Sequence, residues 1–154
     1  MRPLNPAPAN WPRLSSALCY SDAAKAIDWL CDAFGFEVRL KVEGDGGSIL
    51  HSELVYGEAL IMVAQAGTVQ PGREHWPKSL SPRDAGGVTQ QLMLMVDDVE
   101  AHCAHARARG AVIVDEPTVH DYGAEYWADR SYGAVDLDGH LWWISQRLRD
   151  APVK

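Results

Sequence analysis

Residues 131–146 read Ser131-Tyr-Gly-Ala-Val-Asp-Leu-Asp-Gly-His-Leu-Trp-Trp-Ile-Ser-Gln146, and this stretch decides the fold. Tyr132 to Val135 forms a short strand, Asp136-Leu137-Asp138-Gly139 a tight turn, and Leu141 to Gln146 a second strand carrying two tryptophans. Gly139 supplies the positive φ that a twisted hairpin turn needs, and the aspartates offer acceptors to nearby N–H groups. A fainter copy lies upstream, where His51 to Tyr56 passes through Gly57-Glu58 into Ala59 to Val63. The chain is therefore one unit written twice.

Working outward, Leu14 to Tyr20 is an apolar strand, followed by a helix that Ser21 or Asp22 caps and Gly35 ends. Strands are predicted over Phe36 to Val42, Ile49 to Tyr56 and Ala59 to Gln65. A second copy begins at Thr89 to Val96 and enters a helix at Asp97-Asp98-Val99-Glu100, with Val99, Cys103 and Ala106 on its buried side and Gly110 at its end. Ala111 to Val114 is the next strand, and Glu116 to Ala128 reads as an irregular excursion before the opening hairpin. The expected organisation is an arm over 1–12, a first module over 13–66, a linker over 67–88 marked by Pro71, Pro77 and Pro82, a second module over 89–148 and a tail over 149–154. A period of about 75 residues is too long for a solenoid and suits two similar modules.

Composition narrows the function. The net charge of −7 and pI near 5.2 argue against nucleic acid or an anionic membrane as partner, both of which need a cationic footprint. An apolar fraction of 47%, with no run long enough to cross a bilayer, predicts a soluble, cytoplasmic protein. Cys19, Cys31 and Cys103 form no CxxC pair, so they read as inert thiols rather than zinc ligands or disulfides. There is no GxSxG, P-loop or HExxH motif. His102 and His105 are expected on the outer helix surface, and His140 on the surface of its turn.

Tyr20-Ser-Asp-Ala-Ala-Lys-Ala-Ile-Asp-Trp29, Ala33-Phe-Gly-Phe-Glu-Val38, Val96-Asp-Asp-Val-Glu-Ala101, Ala128-Asp-Arg-Ser-Tyr-Gly133 and Asp136-Leu-Asp-Gly-His-Leu-Trp142 occur in an order and spacing that resembles the vicinal oxygen chelate superfamily. That superfamily includes glyoxalase I, bleomycin-resistance proteins and extradiol dioxygenases, and the likeness is to its PhnB-like, bleomycin-resistance-like branch. The resemblance implies an α+β fold of two βαβββ modules curled into an open half-barrel, with a homodimer completing the cavity.

The superfamily's enzymes use a divalent metal, such as Zn, Ni, Mn or Fe, held by His, Gln or Glu from the first and last strand of each module. Carried onto this chain, the resemblance puts those slots at Ser15, Gln91, Ile61 and Trp143. Ser and Gln are weak ligands, and Ile and Trp cannot coordinate. The reading is thus a metal-free, cofactor-free protein that binds a small aromatic or cationic molecule. The alternatives are a metal-dependent lyase, isomerase or dioxygenase using His51 or Glu53, and a non-catalytic structural or regulatory dimer.

Candidate ligand-binding residues follow. His51 and Glu53 share one face of a strand, either on a cavity wall or facing solvent. Gln91, Met93 and Met95 share another, as pocket floor or plain core. Trp143 faces the cavity, or fills a core or dimer interface. Tyr126, Trp127 and Arg130 cluster before the last hairpin, where Arg130 either meets ligand or pairs with Asp129 or another carboxylate. Trp76 is a candidate lid residue in the linker.

Overall fold

The computed structural model describes residues 8, 9 and 11–153; most of the arm expected over 1–12 lies outside them. The chain divides into two compact units, one ending at Ser81 and the next beginning at Pro82. Each contains a four-stranded sheet.

In the first unit, β1 (Ser16–Tyr20) leads to α1 (Ala23–Phe34), then β2 (Glu37–Glu43), a 3₁₀ turn at Asp45–Gly47, β3 (Ile49–Tyr56) and β4 (Ala59–Gln65). The sheet order is β1-β4-β3-β2, with β1 and β4 parallel and the other pairs antiparallel. Helix α1 starts where Asp22 accepts a bond from the Lys25 N–H at 3.0 Å. It stops at Gly35, whose φ of 79° turns the chain so that the Phe36 N–H reaches back to the Leu30 carbonyl at 3.4 Å. Ala26, Ile27, Leu30 and Phe34 pack on Leu18, Tyr20, Leu54, Ile61 and Val63, all buried. Burying a side chain the size of Leu30 or Phe34 stabilises by about 1.5–3 kcal/mol.

In the second unit, α2 (Pro82–Ala85) precedes β5 (Gln91–Met95), α3 (Val99–Ala108), β6 (Val112–Asp121), β7 (Ala128–Val135) and β8 (Leu141–Arg149). The order β5-β8-β7-β6 repeats the first unit's topology, and Asp98 caps α3 through the Ala101 N–H. One bond sets the repeat's register. The Gln65 side chain accepts the first helical N–H, that of Ala23, at 3.1 Å, and Gln146 does the same for Val99 at 3.1 Å. Gln65 thus corresponds to Gln146, Ile61 to Trp142, and Met62 to Trp143.

The opening hairpin is as its sequence predicts, but its turn is buried. Asp136 accepts bonds from the N–H groups of Asp138 (3.1 Å) and His140 (3.0 Å) and from the Trp142 indole N–H (2.9 Å). Helix α2 lies over it: Arg83 N–H donates to the Asp138 carbonyl at 3.1 Å, and the Arg83 guanidinium donates to the Leu137 carbonyl. A side chain at Gly139 would stand 3.2 Å from Pro82 and 3.3 Å from the Arg83 nitrogen, so the turn needs glycine for closeness as well as for its φ of +98°.

Three expectations are corrected here. His140 is buried rather than on the surface, because α2 covers the turn. His102 reaches inward, with Nδ1 2.7 Å from the hydroxyl of the fully buried Tyr132, although His105 is exposed as expected. The excursion over Glu116 to Ala128 is largely strand, since β6 continues to Asp121 and pairs with β7 through Thr118↔Ser131, Val119↔Arg130 and His120↔Asp129. Pro117 falls in the register shift between Asp115 and Thr118, where no ladder N–H is demanded of it. Among the described residues, no helix is long and apolar enough to cross a membrane.

Candidate functional site

Every strand of a half-covered sheet shows alternate side chains to the helix and to the other side. In the second unit, Tyr132 touches His102 of α3, which fixes the helix side. Ile144 pairs with Tyr132, so Ile144 and Trp142 belong to that side too. The opposite, open face then carries Trp143, Met93, Met95 and Gln91, with Gly133, Ser131 and Ser145 between the larger residues. Trp143 is half-buried and its ring lies 5.5 Å from that of His120. Met93 and Met95 are 57% and 41% exposed, so this is an open apolar surface rather than a closed core.

Two pairs of polar groups on this face engage each other. The Ser131 and Ser145 hydroxyls bond each other at 2.8 Å, and the buried Asp129 carboxylate accepts from Arg147 Nε at 2.5 Å. The Arg147 guanidinium carbon sits 5.9 Å from the centre of the Trp127 ring, a cation–π arrangement. Hydrogen bonds to Asp129 and Asp150 raise the Arg147 pKa further, keeping it cationic. At the hairpin tip Trp127 meets Tyr122 at a tilt (ring centres 5.1 Å apart) and Tyr126 edge to face (6.4 Å). The tip is tied down by Arg149, which donates to Asp121 and to the Gly123 carbonyl. These bonds, together with the Gly123 N–H, hold the Asp121 carboxyl down at about 2. Gly133 permits the close pass of β6, because a side chain there would stand 3.1 Å from Val114 and 3.3 Å from Asp115.

Of the predicted residues, Gln91, Met93 and Trp143 share this open face, and Trp127 and Tyr126 stand at its edge. Arg130 does not join them. Its parity with Tyr132 turns it toward α3, where it pairs with Glu100. Sequence reasoning missed His120 and Arg147. The alternation of Thr118, His120 and Tyr122 was a usable signal, obscured by Pro117 and by the two glycine-free bulge positions that precede it.

In the first unit, the open face carries His51 and Glu53. His51 Nε2 lies 2.9 Å from Glu53 Oε1, and Arg39 Nε lies 3.4 Å from Glu53 Oε2. Glu53 is buried and engaged on both oxygens. Trp76 is exposed in a loop under Arg73, whose guanidinium carbon is 4.4 Å from the ring centre.

The implied metal slots need one correction. Ile61 corresponds to the buried Trp142 and faces the helix, so the first unit's open-face position on its last strand is Met62. The set becomes Ser15, Gln91, Met62 and Trp143. Ser15 Oγ donates to the Leu60 carbonyl at 2.8 Å. Neither a thioether nor an indole binds a hard divalent ion well, and among the described residues no group of three His, Cys, Asp or Glu side chains is placed to hold one. The residues present do not fit the metal that the superfamily's enzymes use.

Comparison with known proteins bears on the ancestry of this arrangement. The family model described as Glyoxalase/Bleomycin resistance protein/Dioxygenase superfamily matches residues 14–144. Rv0887c of Mycobacterium tuberculosis is 33% identical over 140 residues, covering 90% of this chain and 76% of that protein. The crystal structure of TioX from Micromonospora sp. ML1 superposes with a TM-score of 0.65 at 29% identity, covering 90% of this chain and 100% of that one. TnmS3, an antibiotic binding protein from Streptomyces sp. CB03234, superposes with a TM-score of 0.59 at 20% identity over 86% of this chain and 93% of its own, a likeness of fold. With the matched region spanning both βαβββ units, the chain belongs to the glyoxalase/bleomycin resistance protein/dioxygenase superfamily.

Proposed function

We propose that this protein binds a small planar aromatic molecule on the open face of its second unit, without a metal ion. The observation that carries the reading is Trp143, an indole on that face among Met93, Met95 and His120, at a place where a metal-using relative would need a ligand atom. An indole offers a stacking surface, and the methionines adapt to irregular apolar outlines. The net charge of −7 favours a neutral or cationic aromatic over an anionic one. Such a protein acts by sequestration, which requires no turnover, and TnmS3 offers a protein of this fold that is an antibiotic binding protein. Assembly as a homodimer belongs to the same proposal and is read by light scattering on the purified chain.

The test is calorimetric titration with proflavine, a planar cation, in the presence and absence of EDTA. Binding is expected to be the same in both, and Trp143→Ala is expected to weaken it about tenfold or more, since one stacked aromatic contributes about 1–3 kcal/mol. Strict dependence on added metal, or an unchanged affinity in Trp143→Ala, overturns the proposal.

A further inference from the structure

The first unit contains a groove of about 550 Å³, within the range of small-molecule sites. Its floor is Val55 and Leu60, register partners on β3 and β4. Trp11 and Pro12 close one side, and Arg39 and Glu58 contribute opposite charges to the wall.

Each charged residue is delivered by a local departure from regular strand. Val38 pairs with Leu54 and Leu40 with Glu53, leaving Arg39 as the extra residue of a β-bulge. A bulge re-aims the side chain it inserts. Here the guanidinium is braced by Glu53 on its Nε edge, 3.4 Å away, and lies 5.7 Å from the centre of the Trp11 ring. Glu58 sits at the tip of the two-residue turn that Tyr56↔Ala59 closes, beside Gly57, whose positive φ of 55° leaves open space where a side chain would be. The result is an apolar, aromatic slot with a cation and an anion on its wall.

We propose that this groove binds an amphoteric small molecule: a flat or apolar body against Trp11, Val55 and Leu60, a carboxylate meeting Arg39 and an ammonium meeting Glu58. A guanidinium suits a carboxylate through paired N–H donors, and a ligand carrying both charges leaves neither wall group facing its own sign. The site lies wholly within the first unit and does not rest on the reading of the second unit's open face.

The experiment is a titration of the ¹⁵N-labelled full chain with 4-(aminomethyl)benzoate, and with the singly charged 4-methylbenzoate and 4-methylbenzylamine, followed by amide and indole NMR shifts. The zwitterion is expected to move the Trp11 indole and Gly57 amide signals saturably, with affinity about tenfold above either singly charged analogue, a difference of about 1.4 kcal/mol. Arg39→Gln should reduce the zwitterion to the affinity of 4-methylbenzylamine, and Glu58→Gln to that of 4-methylbenzoate. Trp11→Ala identifies the indole signal and should weaken all three probes. Equal affinity for the three probes, or no shift at Trp11 and Gly57 at millimolar probe, overturns the proposal.

Discussion

Replacing Asp136 by alanine removes one acceptor from three donors at once: the backbone N–H groups of Asp138 and His140 and the indole N–H of Trp142. Asp136 is 5% exposed and Trp142 1%, so water cannot readily replace the carboxylate at the indole. A buried donor left without a partner costs about 1–3 kcal/mol, and the two turn N–H groups, closer to solvent after relaxation, cost about 1 kcal/mol each. The expected loss is about 3–5 kcal/mol, a large part of the roughly 5–15 kcal/mol that separates most folded domains from their unfolded chains. The assay is native-state hydrogen exchange of the β7 and β8 amides, combined with urea unfolding. Trp142→Phe deletes the indole donor alone, so in the Asp136→Ala/Trp142→Phe cycle the two losses should be less than additive by about 1–3 kcal/mol. A loss below about 1 kcal/mol for Asp136→Ala, or strict additivity in the cycle, would refute the idea that this carboxylate holds hairpin and core together.

Other expectations concern separate parts of the molecule. The Asp121 carboxyl, held down at about 2 by Arg149 and the Gly123 N–H, favours the folded hairpin tip above the usual carboxylate range, near 3.8. That contribution is lost as pH falls from there through about 2; Arg149→Gln should move the Asp121 titration, followed by carboxyl ¹³C shifts, up toward 3.8, and no movement would exclude the assigned cause. Burial pushes the Cys103 thiol up, and burial followed by the Asp28 and Glu37 charges does the same for Cys31. Both should resist iodoacetamide near neutral pH and react in urea, as peptide mass spectrometry can check. Arg130→Ala removes a partly exposed pair with Glu100, costing under about 1 kcal/mol. It should leave proflavine affinity unchanged, and a loss as large as that of Trp143→Ala would return Arg130 to the ligand's side.

Much of the site's misreading traces to a single source. Ile61 and Met62 are adjacent apolar residues, and nothing in their neighbours says which one faces the helix. The bond from the Ala23 N–H to Gln65 decides it, across 42 positions of chain. Shifting a strand by one residue exchanges its two faces, so an error of one position moved a core residue into the expected site. Arg130 was open between ligand and carboxylate for the same reason, since its pairing with Glu100 on α3 follows from its place opposite Gln146. Arg39 could not have been found at all, because the bulge that re-aims it exists only in the pairing of β2 with β3.

What the sequence settled by itself is what neighbours in the chain can enforce. Capping stretches at Ser21-Asp22 and Asp97-Asp98 start the two helices, Gly35 and Gly139 end a helix and turn a hairpin, and apolar spacing writes βαβββ twice, because caps, turns and periodicity act over a few residues. Tertiary structure alone decided that His140 and Asp136 are buried, that β6 runs through Pro117 to Asp121, and that Met62 rather than Ile61 lies on the first unit's open face. Those outcomes depend on which distant strand or helix comes to lie against each residue, and burial and register are properties of that pairing rather than of the local sequence.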